Sequence, residues 1–233
     1  MDEFKTVDLG LLNEAGLNRQ AFFNIGDLPA GLAVPLQERF NGLGQYRQLL
    51  LIGHAGKRLW DAVQASGIDS ENPIDDFSVR VVKDWFSRHL PGRRYEIIYP
   101  GPYPIGLQQL GKLAGWHRPS PFMVGIDPEW GSWYAYRAVV LADTAFEPSR
   151  PVPGGSPCLR CAAKVCIATC PGAALEGGFD LKKCAAYRIQ AGSACRNTCL
   201  ARLSCPVGAA HRYSDEQMSH CYGRSLRDLE RYC

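Results

Sequence analysis

Apolar positions change their period along the chain, and the change predicts the elements of the first half. Val7, Leu11, Leu12 and Ala15 form a weak helical face from Thr6 to about Asn18, ending near Gly16. The next stretch is broken by Gly26, Pro29, Gly31 and Pro35 and reads as a loop. Leu49, Leu50, Leu51 and Ile52 stand in series between Tyr46 and Gly53, which predicts a strand covered on both faces. Leu59, Trp60 and Val63 put a helix over Lys57 to Ser66, with Gly67 just past its end. Asn72-Pro73 opens a turn, Asp75 or Asp76 caps a helix from Phe77 to His89, and Pro91-Gly92 closes it. A strand over Tyr95 to Tyr99 and a helix over Ile105 to Ala114 follow. Strands over Phe122 to Ile126 and Tyr134 to Ala142 then flank the turn Asp127-Pro128-Glu129-Trp130-Gly131. Strand alternates with helix throughout, so an α/β sandwich with helices on a sheet is expected, parallel or mixed.

The pattern fails at Glu147 to Pro157, where four prolines and Gly154-Gly155 exclude regular structure. The expected domains are therefore 1–147, a linker over 148–157, a cysteine module over 158–210, and a polar tail over 211–233. Met218, Tyr222, Leu226 and Leu229 keep helical spacing in that tail, which is expected to pack back on the first domain. No apolar run reaches the roughly 20 residues of a membrane span. The net charge of +3 is spread without long runs of one sign, which argues against a nucleic-acid arm or a polybasic membrane patch.

Cysteine changes the picture most. Eight of the ten cysteines read Cys158-x2-Cys161-x4-Cys166-x3-Cys170-Pro171, then Cys184, then Cys195-x3-Cys199-x5-Cys205-Pro206. Eight thiolates suffice for two cubane iron-sulfur clusters, and in two-cluster ferredoxins the Cys before Pro ligates the other cluster. By that rule one 4Fe-4S cluster takes Cys158, Cys161, Cys166 and Cys205, and the second takes Cys170, Cys184, Cys195 and Cys199. Paired zinc sites also use Cys-x2-Cys knuckles, but they have no need of the two Cys-Pro pairs. A disulfide framework would suit a secreted chain, whereas the first eight residues lack a signal peptide's basic start and apolar core. A cytoplasmic location with reduced thiols is expected. Cys221 and Cys233 are spare. Seven basic residues against Glu176 and Asp180 lie between Cys158 and Pro206, an excess that would offset cluster charge or meet an acidic donor.

The order of α/β domain, Gly131-Ser132-Trp133 segment, proline linker and two Cys-Pro arms resembles the cobalamin-dependent superfamily of epoxyqueuosine reductase, reductive dehalogenases and the CblC-type cobalamin-processing protein. The resemblance runs from about Phe77 to Leu229 and is carried by the cysteine plan and by GIDPEWGSWYAYRAVVL, Gly125 to Leu141. It implies a nitroreductase (flavin-reductase-like) sandwich binding base-off cobalamin, followed by a ferredoxin-like module. It implies an oxidoreductase that takes electrons from a ferredoxin or flavodoxin and reduces the corrinoid to cob(I)alamin, for upper-ligand removal or reduction of a small substrate. Arg137 and the Arg212-Tyr213-Ser214 segment match the CblC-type branch, where such arginines hold glutathione, so both are candidates to hold an anion. Ser132, Trp133 and Tyr134 are the corrinoid-binding candidates. His54, His89, His117, His211 and His220 are candidate cobalt ligands, with His117 foremost because it lies in the turn Trp116 to Pro121. The epoxyqueuosine branch has a Gly-Lys-rich turn there and a helical-repeat extension after the module, so no nucleic-acid partner is expected. Three alternatives stay open: an epoxyqueuosine-reductase-like enzyme, an iron-sulfur reductase with FMN in the sandwich, and a non-enzymatic corrinoid or electron carrier.

Overall fold

A computed structural model describes residues 7–232; Thr6, the first residue of the predicted opening helix, and Cys233 lie outside them. The chain divides into two compact units, one of residues 1–115 and 134–152, the other of residues 116–133 and 153–233. The division falls at Val152/Pro153, inside the proline-rich stretch, and the segment 116–133 joins the cysteine module.

The first unit holds a four-stranded sheet ordered β1-β2-β4-β3, with every pairing antiparallel. Its strands are β1 (Arg19–Asn24), β2 (Gln48–Ala55), β3 (Tyr95–Tyr99) and β4 (Tyr134–Ala142). Its helices are α1 (Gly10–Glu14), α2 (Ala30–Arg39), α3 (Arg58–Ala65), α4 (Pro73–His89) and α5 (Leu107–Leu113). Strand β2 is buried along its whole length, as its unbroken apolar run requires, and β4 is its inner neighbour. Helices α3 and α4 pack on β2 and β4, with Trp85 and Phe86 fully buried beneath them.

Three stretches differ from the sequence reading. The stretch read as a loop contains β1 and α2. Pro35 removes one hydrogen bond inside α2, but Leu28, Leu32, Leu36 and Phe40, spaced by four, are all buried, and their packing outweighs the break. Helix α4 begins at Pro73, a turn before the expected cap, because proline at the first helical position gives up an N–H that has no partner there. Residues 122–126 are not a strand: they form only the bridge between Ile126 and Arg118, and Met123 has a φ of 68°.

Gly111 on α5 leaves room for the Tyr136 hydroxyl, which an added Cβ would overlap. Burial pushes the Tyr136 phenol up to about 12, against the lowering effects of a hydrogen bond with Tyr134 and of nearby Arg19. An unfolded tyrosine ionises from about pH 10, so the folded state loses stability as pH rises from about 10 to 12. Tyr136→Phe is expected to flatten the fall of the thermal midpoint across that window.

The second unit is built of short pieces: α6 (Val165–Ala168), α7 (Leu181–Arg188), α8 (Leu200–Ser204) and the longer α9 (Asp215–Tyr232). One cluster of its core joins Phe122, Ile126, Leu175 and Ala201 to Cys166 and Cys205. Another joins Trp133, Tyr213 and Met218. Helix α9, expected against the first domain, belongs to this unit. Arg188 of α7 donates to the Tyr222 carbonyl and the Ser225 hydroxyl of α9, and Arg196 pairs with Glu230.

Candidate functional site

Helices α6 and α8 pack against each other and decide where the thiols go. Cys199 and Cys205 flank α8 at its two ends. Six residues of helical rise separate them by about 9 Å, so one helix feeds two places. Cys166 lies within α6, whereas Cys170 follows the Thr169 cap. The x5 interval of the second arm is thus filled by helix, and Lys164 with a φ of 39° turns the x4 interval of the first.

The result is two sets of four thiols. Cys158, Cys161, Cys166 and Cys205 line a cavity of about 30 Å³ together with Pro121, Ile126 and Val207. Cys170, Cys184, Cys195 and Cys199 line a second cavity of about 440 Å³, mostly apolar, which Cys221 also reaches. The two Cys-Pro cysteines have crossed over, each joining the set of the other arm.

Electrostatics repeats the partition. Burial pushes the Cys158 thiol up, opposed by its Ser156 hydrogen bond, and Cys205 and Cys161 push it further. Cys166 is raised by burial, then by Cys205 and Cys158. Cys184 is raised by burial and by Cys199, Cys170 and Cys195, against the lowering charge of Arg188. Cys195 is raised by burial and by Cys199 and Cys170, against the backbone N–H of Leu200. Thiols crowded in this way resist ionisation until a cation replaces their protons. Among the described residues no three His, Cys, Asp or Glu side chains are placed to hold a metal ion.

The other predicted residues are not gathered into one place. The Ser132 hydroxyl accepts from Arg202 Nε at 3.1 Å, and Trp133 is wholly buried with the Arg202 guanidinium 4.4 Å from its ring centroid. Tyr134 lies in the first unit, buried beside Tyr136, with Arg19 over its ring. All three side chains are buried among protein contacts. Arg137 donates to His54 Nδ1 at 3.1 Å and meets Asp75 at 3.4 Å, while Arg212 reaches the Cys205 carbonyl at 3.4 Å. These two arginines belong to different units. Both His54 and His117 are buried, and His211 packs on Trp130.

The sequence reading missed Arg188, Arg202 and Tyr222 around the second thiol set. Arg188 stands four residues after Cys184 and Arg202 three after Cys199, the spacing at which helical neighbours share a face. It also missed the pair Gly131 and Gly208. An added Cβ at Gly131 would overlap the Val207 carbonyl, and one at Gly208 would overlap the Trp130 carbonyl. Their mutual approach presses the 127–133 turn onto the Cys205-Pro206 arm. Asp127 shapes that turn by accepting from the backbone N–H groups of Glu129 and Trp130.

Solved structures share this fold. The epoxyqueuosine reductase from Streptococcus thermophilus matches at a TM-score of 0.51 and 14% identity, over 88% of this chain and 66% of that one. An epoxyqueuosine reductase solved with a tRNA-Tyr stem loop matches at a TM-score of 0.53 and 14% identity, over 90% and 67%. The chain shares the fold of the epoxyqueuosine reductases. It spans about two thirds of their length. A Caenorhabditis elegans B12-trafficking protein, CblC, aligns over 91% of this chain and 87% of its own at 14% identity, with a TM-score of 0.45 that carries no argument. No protein-family model and no curated protein sequence matches the chain. Among the described residues no helix is long and apolar enough to cross a membrane.

Proposed function

We propose that this chain is an iron-sulfur oxidoreductase whose two clusters carry electrons to a corrinoid, which it reduces as its substrate for upper-ligand removal. The observation that supports it is the sorting of eight thiols into two separate sets of four, with Cys170 and Cys205 exchanged between the arms. Such a plan serves electron transfer between neighbouring centres, and bound clusters would supply one-electron chemistry at low potential. The chain's own residues do the rest. Cys158, Cys161, Cys166 and Cys205 would hold one cluster, and Cys170, Cys184, Cys195 and Cys199 the other. Phe122, Val124 and Leu181 line the second site and limit water around it. Exposed Lys182 and Lys183 beside that opening suit an acidic ferredoxin or flavodoxin donor. Ser132, Trp133 and Tyr134 remain the residues proposed to bind the corrinoid.

Anaerobic reconstitution followed by titration with cobalamin tests the reading. About eight irons and eight sulfides per chain are expected, with tight retention of cob(II)alamin and its reduction under a low-potential donor. Protein that takes up no iron, or that releases a yellow flavin on denaturation, would sink it. A second reading has the fold's likeness in its favour: reduction of an epoxyqueuosine-modified tRNA. Turnover of a modified stem loop, with cobalamin needed but left unprocessed, would select it instead.

A further inference from the structure

The two thiol sets have similar ligands but unlike surroundings. Arg188 and Arg202 each expose only 8% of their surface, and both line the cavity of the second set. Arg188 donates to the carbonyls of Cys195, Arg196 and Tyr222 and to the Ser225 hydroxyl, with its guanidinium 5.1 Å from the Tyr222 ring centroid. Arg202 donates to the hydroxyl and carbonyl of Ser132 and lies 4.4 Å from the Trp133 ring centroid and 5.0 Å from that of Tyr213. Tyr222 lines the same cavity as Arg202 and Cys199 and packs, half-buried, against Trp133, Tyr213 and Met218. Carbonyls, hydroxyls and ring faces surround these cations, and among the described residues no carboxylate does. The first set has a different company. Lys164 and Arg212 beside it are exposed to solvent, and buried Arg118 is held by the carbonyls of Pro153 and Gly154.

A buried guanidinium without an anion is costly, and two beside one cavity call for a negative partner. Four thiolates around a four-iron cube provide one. We propose that Arg202 and Tyr222, lining the cavity with Cys199, and Arg188 beside Cys184 and Cys195 form the polar surroundings of the second cluster alone, the two arginines supplying its counter-charge. They hold it at a higher reduction potential than the first, so an entering electron comes to rest there. Hydrogen bonds to a ligating sulfur and nearby positive charge both favour the reduced, more negative cluster, which gains one electron and makes or breaks no bond. Water and salt screen the exposed cations of the first set. Tyr222 and Arg202 are positioning residues, since neither is a ligand. The inference rests on the two-cluster reading.

A redox titration of the reconstituted full chain, with dithionite as the electron source and paramagnetic resonance as the readout, tests it. Two midpoint potentials are expected, and the higher belongs to the signal lost in Cys184→Ser. Tyr222→Phe keeps the ring and removes the hydroxyl. It should lower that potential alone, by about tenfold in the reduced-to-oxidised ratio, or about 59 mV for one electron. Arg202→Gln should do the same, and Arg212→Gln should move neither. Full iron content with both potentials unmoved by Tyr222→Phe, or shifted alike, overturns the inference while the clusters stand. Absence of iron overturns both.

Discussion

Cys205→Ser is expected to empty the site formed by the first arm, although Cys205 belongs to the second. Its three partners, Cys158, Cys161 and Cys166, lie on the far side of α7 in sequence, and only α8 carries Cys205 to them. Iron should fall from about eight to about four per chain, leaving a cluster on Cys170, Cys184, Cys195 and Cys199. Cys170→Ser should do the reverse and spare the set that holds its own neighbour Cys166. Electron delivery to the corrinoid should fail in both variants, because a relay with one empty station does not conduct. Iron and sulfide analysis with the paramagnetic spectrum of each variant checks this. Should Cys170→Ser and Cys205→Ser remove the same signal, the crossover is wrong. Reduction at an undiminished rate in both would mean that the clusters are no relay.

The second large effect is expected at Gly131. Its φ of 60° already disfavours a side chain, and the Val207 carbonyl occupies the place of a Cβ. Backbone cannot rotate aside as a flexible side chain can. Gly131→Val should therefore destabilise the second unit by about 2 to 4 kcal/mol, from left-handed strain and overpacking together. Because Val207 follows the Cys205-Pro206 arm, the first cluster should be lost at lower urea than in the parent protein. Gly192→Ala provides the comparison. It has a φ of 76° with open space around it, so it bears the strain without the overlap and should cost about 1 kcal/mol.

How much of this was legible depended on whether the signal was local. The β2 run from Leu49 to Ile52 and the strand over Tyr95 to Tyr99 were readable because their apolar pattern has no other use. Strand β1 was hidden, since Arg19-Gln20 and Asn24 bracket only three apolar residues and pairing with β2 supplies the rest. Helix α2 was masked by Gly31 and Pro35, yet its stripe from Leu28 to Phe40 was there to be counted. The x5 interval between Cys199 and Cys205 has no meaning in a linear reading. It is the length of α8.

The sequence by itself determined the number of thiols, the two Cys-Pro pairs and the alternation of strand and helix, because these rest on residue type and short-range period. Only the tertiary structure decided that the sheet is antiparallel, that 116–133 and α9 join the cysteine module, and which thiol set receives two buried cations. Each of those depends on contacts between residues far apart in the chain. Arg202 and Tyr222 are ordinary positions in a linear reading, and their meaning comes from lining one cavity with Cys199.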